Sequence, residues 1–270
     1  MTVRPNCKIN LGLNVVRKRG DGYHDIETVF YPAGLCDSLD ISVSADGVFR
    51  FLPTGLKIPG DGAANLCVQA YDLLKEHFSM PAVEMRLQKN IPMGSGLGGG
   101  SSDGAFTLKA LNEMFGLGLS KAQLKAFASR LGSDCTFFID NSPCWARGRG
   151  EMLEPLSLNL AGLYLLIVIP QVHVSTADAY AMIQPAHPAV SLKEIAALPV
   201  EQWKGKMVND FEGPVCKKHP LIGQLRDLLY ERGAVYASMS GSGSSVYGIF
   251  RSIPEAESLF PGCFVWVSAI

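Results

Sequence analysis

The residues that speak most directly of chemistry are glycines. Pro92-Met93-Gly94-Ser95-Gly96-Leu97-Gly98-Gly99-Gly100-Ser101-Ser102-Asp103 puts five glycines in seven positions, between an alternating apolar segment and an amphipathic one. Glycine takes φ > 0 at no steric cost and lets the backbone come close to a ligand. Successive N–H groups then line a concavity, reinforced by the positive end of the helix that follows, an arrangement suited to a polyphosphate. Ser101 and Ser102 add hydroxyls for phosphate or for magnesium. The competing reading is a flexible loop, although flexible linkers do not usually sit directly against a helix start.

Three other glycine-loop types are rejected. A Walker A loop needs a Lys after its glycines, and none follows here. Gly94-x-Gly96-x-x-Gly99 satisfies the dinucleotide fingerprint, but so dense a run matches almost any glycine pattern, and no βαβ series precedes it. The H-R-D and D-F-G companions of a protein kinase are absent.

Three further features belong beside the loop. Lys8 interrupts an apolar strand, where a charge is costly without a partner; it is either so partnered or an edge-strand lysine reaching water. Asp134 follows Gly132-Ser133 at the end of an amphipathic helix, where the dipole gives a carboxylate no benefit. A nearby lysine would supply the missing reason, keeping the acid ionised as a base. Ser240-Gly241-Ser242-Gly243-Ser244-Ser245 is either a tight turn or a second small-residue wall against which the first loop and its ligand close.

The elements that must carry these residues follow from periodicity. Residues 7–16 read as a strand with Lys8 and Asn10 on one face. Strands are expected at 25–31 and within 38–51, with Asp46-Gly47 as a hairpin turn. Helical spacing covers 63–78, and Val83, Met85 and Leu87 alternate with polar residues as a half-buried strand. A helix from Ser102 to Phe115 follows the glycines, then a second opened by the capping box Ser120-x-x-Gln123 and stopped at Gly132. Residues 163–169 read as a fully buried strand, 222–231 as a helix, and 234–240, 245–250 and 263–269 as late strands. A domain boundary is expected near 155–162.

Composition narrows the function classes. The chain has 270 residues, which suits one large domain or two closely packed ones. Glycine is over-represented, at 28 against about 19 for average usage. Lys plus Arg is 24 and Asp plus Glu 25, and the basic clusters are short, so a nucleic-acid partner is not expected. The seven cysteines are scattered with no C-x-x-C pair, pointing to reduced thiols in a cytoplasmic protein. The five histidines show no zinc spacing. The N-terminus lacks an apolar signal region, and the longest apolar run, 163–169, is far short of the ~20 residues of a bilayer span, so no membrane role is expected.

Lys8-Ile9-Asn10-Leu11, Pro92 to Asp103 and Ser240 to Ser245, in that order, resemble the three motifs of the GHMP kinase superfamily. Arg19-Gly20-Asp21-Gly22-Tyr23-His24 and Leu131-Gly132-Ser133-Asp134 sharpen the resemblance toward the branch that phosphorylates a diphosphocytidyl-linked tetritol in the non-mevalonate route to isoprenoid precursors. The resemblance implies an α+β, two-lobed fold with a ribosomal protein S5 domain 2-like N-terminal lobe, a ferredoxin-like C-terminal lobe and the active site between them. It implies domains at 1–157 and 158–270, with ATP bound by Pro92 to Ser102 and Mg²⁺ accompanying its phosphates. Asp134 would take the proton of the acceptor hydroxyl, and Lys8 would hold Asp134 ionised. Lys8, Asn10, Tyr23 and His24 would bind the diphosphocytidyl substrate, and Tyr180 would stack on the base or else be an ordinary half-buried helix residue. A monomer or homodimer is expected. The alternatives are another alcohol kinase of the superfamily and a non-catalytic nucleotide-binding protein on the same fold. The chain departs from the family at Cys7 and Gly104, both often Ala, and at Thr136, often Pro; the first two are expected to alter packing more than proton chemistry, and Thr136 to bear on the backbone of Asp134.

Overall fold

The computed structural model describes residues 1–58, 64–256 and 259–270. The chain forms two compact units, each assembled from separate stretches. The first contains residues 1–7, 35–93 and 98–142; the second contains 8–34, 94–97 and 143–270.

The first unit is a sheet backed by helices. Val83–Lys89 is a central strand, paired antiparallel with Ser38–Val43 and parallel with Arg50–Gly55; Thr2–Val3 extends the Ser38–Val43 side. The expected hairpin across Asp46-Gly47 is therefore not formed. Gly47 does turn the chain, at φ +74°, and Asp46 accepts the Val48 N–H and pairs with Arg50. The two flanking strands then bind opposite edges of Val83–Lys89 instead of each other.

Helices Leu66–Lys75, Gly99–Met114 and Lys121–Leu131 complete this unit. Residue 63 of the expected 63–78 helix lies outside the described residues. The helix after the glycines starts at Gly99, three residues before the expected Ser102, since Gly98 at φ +69° serves as its cap. Gly104 is where it meets the Leu66–Lys75 helix: a Cβ there would stand 2.9 Å from Leu66 Cβ. The Ser120/Gln123 capping box is fully formed.

In the second unit one sheet runs in the order Tyr236–Met239, Val246–Phe250, Tyr164–Ile169, Phe264–Ala269, all antiparallel. Tyr164–Ile169 is buried along nearly its whole length, as its unbroken apolar run requires. Helices Glu212–Lys218 and Pro220–Glu231 supply Val215, Ile222, Leu225 and Leu229 to the core beneath it. A second sheet joins Asn6–Lys18, His24–Cys36, Cys144–Gly148 and Met152–Pro155. No helix among the described residues is long and apolar enough to cross a membrane.

Candidate active site

Lys8 and Asn10 lie on the Asn6–Lys18 strand and, two residues apart, share a face. Lys8 is 4% exposed, so it is not an edge lysine reaching water. Its ammonium donates to Asn10 Oδ1 at 2.5 Å and sits 4.8 Å from the centre of the Phe30 ring. Asn10 Nδ2 donates to Thr28 Oγ1, which donates on to the Gly12 carbonyl. The amide is thus oriented with its oxygen toward the lysine.

Gly94–Leu97, the middle of the glycine-rich segment, is tied into the second unit. The Lys8 N–H donates to the Leu97 carbonyl, the Ser245 N–H to the Ser95 carbonyl and Ser240 Oγ to the Gly96 carbonyl. Gly94, Gly96 and Gly98 have φ of +65°, +82° and +69°, the left-handed region that glycine alone enters freely. At Gly96 the need is also steric, as a Cβ would lie 2.1 Å from the Ser240 carbonyl oxygen. The Ser240–Ser245 segment combines the turn with a wall of small residues. It is the turn between two antiparallel strands, and it is a buried wall against Gly94–Leu97.

This wall is itself braced. Asn209 donates to the Met239 and Gly241 carbonyls, Glu212 accepts the Met239 N–H and the Ser238 hydroxyl, and Tyr247 donates to the Asn10 carbonyl.

Gly98–Ser102 open the Gly99–Met114 helix in the first unit. The first N–H groups of any helix lack intrahelical acceptors, so this end can receive an anion. Ser102 Oγ is buried there and has no hydrogen-bond partner in the described structure. Pro92 and an exposed Met93 lead into the glycines.

Asp134 lies just beyond the Lys121–Leu131 helix, as expected, but in a further helical turn that was not. Gly132 breaks the preceding helix in an extended conformation, and Asp134 falls in the first turn of a 3-10 helix, Ser133–Thr136, that runs on into Phe137–Asp140. The acid thus also lies at the start of a short helical run, an end that favours a carboxylate. Thr136 has φ −60°, a value that a proline would also take. Burial pushes the neighbouring Cys135 thiol up to about 12, and the same holds for Cys7 beside Lys8. Neither thiol is a nucleophile near neutral pH.

His24 and Tyr180 meet face to face, with ring centroids 4.7 Å apart and planes 17° from parallel. Tyr180 comes from the short Thr176–Ala181 helix and is half-buried, and Phe211 meets it edge-on at 4.9 Å. Tyr23 is exposed, under the Arg149 guanidinium at 3.9 Å. The Arg19-Gly20-Asp21-Gly22 turn holds this pair in place: the Tyr23 N–H donates to Asp21, and the Tyr23 carbonyl accepts the Arg19 N–H. Arg17 and Arg19 both pair with Asp25, holding its carboxyl below the usual range.

Lys8, Asn10, Tyr23, His24, Tyr180 and Gly94–Leu97 thus belong to the second unit, while Pro92, Met93, Gly98–Ser102 and Asp134 belong to the first. Thr28, Arg149, Asn209 and Glu212 were not anticipated. Each is a polar residue made significant by a long-range partner, which local spacing does not register.

Residues 65–142 match the family of GHMP kinases N terminal domain, and residues 194–260 match GHMP kinases C terminal. The chain is 51% identical over 264 residues, 97% of each sequence, to the 4-diphosphocytidyl-2-C-methyl-D-erythritol kinase of Parabacteroides distasonis. A crystal structure of a 4-(cytidine 5'-diphospho)-2C-methyl-D-erythritol kinase superposes with TM-score 0.82 at 31% identity, covering 99% of this chain and 98% of that one. The mevalonate kinase of Methanococcus jannaschii has the same fold at 15% identity, with TM-score 0.67 over 93% of this chain and 90% of its own. With relatives of this identity along nearly its whole length, the chain belongs to the GHMP kinase family.

Proposed function

We propose that the chain transfers the γ-phosphoryl group of ATP to the 2-hydroxyl of 4-diphosphocytidyl-2-C-methyl-D-erythritol, giving the 2-phosphate and ADP, in the non-mevalonate route to isoprenoid precursors. The observation that carries this reading is 51% identity, across 97% of both sequences, to a kinase named for that acceptor. We assign the work to the cytoplasm, and we keep a division at 157/158 into an ATP-binding domain and a C-terminal domain.

Phosphoryl transfer asks a protein chiefly for positioning and charge stabilisation. In our reading the N–H groups of residues 94–102 and the helix end at Gly99 receive the triphosphate. Asp134 takes the proton from the attacking hydroxyl, and the Lys8 ammonium, oriented by Asn10, supplies positive charge for the acceptor oxygen. His24 reads the cytosine edge, Tyr180 offers its face to the base, and Asn10 and Tyr23 complete acceptor binding. Mg²⁺ commonly takes phosphate oxygens with one or two protein oxygens, and the buried, unpartnered Ser102 hydroxyl fits such a role. When bound, the ion neutralises charge on the transferring phosphates.

The test is ADP release with the diphosphocytidyl acceptor, mevalonate and homoserine in parallel. Turnover confined to the first is expected. Turnover on mevalonate or homoserine alone would overturn the acceptor assignment, and turnover on none would favour a nucleotide-binding protein.

A further inference from the structure

Lys89 is the last residue of the Val83–Lys89 strand and continues its inward register, Val83, Met85, Leu87, Lys89. Its side chain is 2% exposed and contacts two equally buried carboxylates. The ammonium pairs with Asp37, which directly precedes the Ser38–Val43 strand, and with Asp103 in the second turn of the Gly99–Met114 helix at 2.8 Å. Three buried ionisable side chains cost much desolvation, and replacing such clusters by apolar residues is often neutral or stabilising. Stability alone is therefore a poor reason for this cluster to exist.

Its connections supply another. Asp37 Oδ1 accepts the N–H of Asn90 at 2.6 Å and of Ile91 at 2.8 Å, while Asn90 Nδ2 donates to the Cys36 carbonyl. Residues 89–91 are the entry to the glycine-rich segment and Asp103 is its exit, so one ammonium is the reference point for both ends. The packing is close. A Cβ on Gly99 would lie 2.8 Å from Ile91 Cγ2 and 3.1 Å from Lys89 Nζ, so only glycine lets the first turn of the helix rest on this cluster. Between the two ends stand Gly94, Gly96 and Gly98, all at positive φ and with no side chains to restrain them. A run of this kind loses much conformational freedom when it orders around a ligand, and fixing its ends beforehand lowers that cost.

We propose that Lys89, Asp37 and Asp103 form a clamp that sets the glycine-rich segment in its nucleotide-receiving conformation, making them positioning residues for phosphoryl transfer. The proposal rests on the reading of that segment as the triphosphate site. It assigns the clamp to nucleotide and not to acceptor, so the two substrates must respond differently when it is loosened.

The experiment measures the dissociation constant of a non-hydrolysable ATP analogue, without acceptor, for the wild-type chain, Asp103→Ala and Asp103→Asn, together with the KM of the diphosphocytidyl acceptor. Asp103→Ala, which leaves the Lys89–Asp37 pair in place, is expected to weaken the analogue about tenfold or more, with acceptor KM within about twofold. Asp103→Asn keeps an oxygen for Lys89 and is expected to restore most of the affinity. Wild-type analogue affinity in Asp103→Ala overturns the clamp, as does a parallel rise in acceptor KM, which would mark a general loss of structure. If Asp103→Ala does not fold, Asp37→Asn takes its place: its amide oxygen keeps both backbone N–H groups, its NH2 then faces the Lys89 ammonium and breaks that arm of the clamp, and unchanged affinity there overturns the clamp equally. A wild-type chain that binds the analogue but does not phosphorylate the acceptor would sink the functional reading and leave the clamp standing.

Discussion

The imidazole of His24 lies flat against the ring of Tyr180, at 4.7 Å between centroids. A third aromatic ring inserted between two others needs about 7 Å, twice an offset-stacking separation of ~3.5 Å. A pyrimidine that stacks on this face of Tyr180 must therefore take the place His24 now fills, and Phe211 already packs against Tyr180 edge-on. Stacking of a base on an aromatic side chain is worth about 1–3 kcal/mol. Tyr180→Ala is expected to raise acceptor KM by roughly 5- to 150-fold, the equivalent of that energy, while KM for ATP stays put. Steady-state kinetics with each substrate varied in turn will read this. A fall in kcat with acceptor KM unchanged would remove Tyr180 from contact with the base.

Asp134 is the one carboxylate assigned to proton transfer. Asp134→Asn keeps the shape of the side chain and removes its basicity, so kcat is expected to drop about 10²–10⁴-fold. Binding of an ATP analogue should not change, since the residue is assigned no phosphate contact. Titration calorimetry alongside single-turnover phosphoryl transfer separates the two effects. A variant with wild-type kcat would leave the chain without its proposed base.

How far such residues can be read from the chain alone depends on whether their partners are local. The glycine spacing, the Ser120/Gln123 capping box and the buried run at 163–169 are local patterns, and the structure reproduces all three. Lys89 was visible in principle: it continues the alternation of Val83, Met85 and Leu87, so the period itself turns it inward. Asp37 was not, because its role comes from Asn90, Ile91 and Lys89, more than fifty residues away. The hairpin expected at Asp46-Gly47 failed for a related reason. A turn signal specifies that the chain reverses, but which edge the next strand joins is set by a strand more than thirty residues further on, Val83–Lys89. Gly132 likewise announced the end of a helix without announcing that another turn begins at Ser133.

Asp103 carries a pH signature. Burial and the adjacent Asp37 push its carboxyl up to about 8, against the pull of Lys89. In an unfolded chain an aspartate loses its proton near ~4, so between these values the folded state binds more protons. Stability from this group is therefore full below about pH 4 and is lost as pH rises toward about 8. Asp103→Asn removes the titration. The urea midpoint of the wild type is expected to fall relative to that of Asp103→Asn between about pH 6 and pH 8, and the difference should level off above that. Parallel pH profiles for the two proteins would exclude Asp103 as the titrating group.

Gly96 and Gly100 stand four residues apart and make opposite predictions. Gly96 combines φ +82° with a would-be Cβ 2.1 Å from the Ser240 carbonyl, so Gly96→Ala forces both a strained backbone and a clash with the opposing turn. It is expected to destabilise the fold by more than ~1 kcal/mol and to lower Tm accordingly. Gly100 has nothing within 4 Å of its would-be Cβ and lies in the first turn of the Gly99–Met114 helix, where alanine suits the backbone better. Gly100→Ala is expected to gain up to about 1 kcal/mol of stability. If the segment receives a triphosphate, however, the added methyl narrows the approach to the helix end, and analogue affinity should fall while Tm rises. That divergence distinguishes a glycine kept for its ligand from one kept for the fold. A Gly100→Ala protein that is both more stable and as tight for nucleotide would show that phosphate does not approach the backbone at this residue.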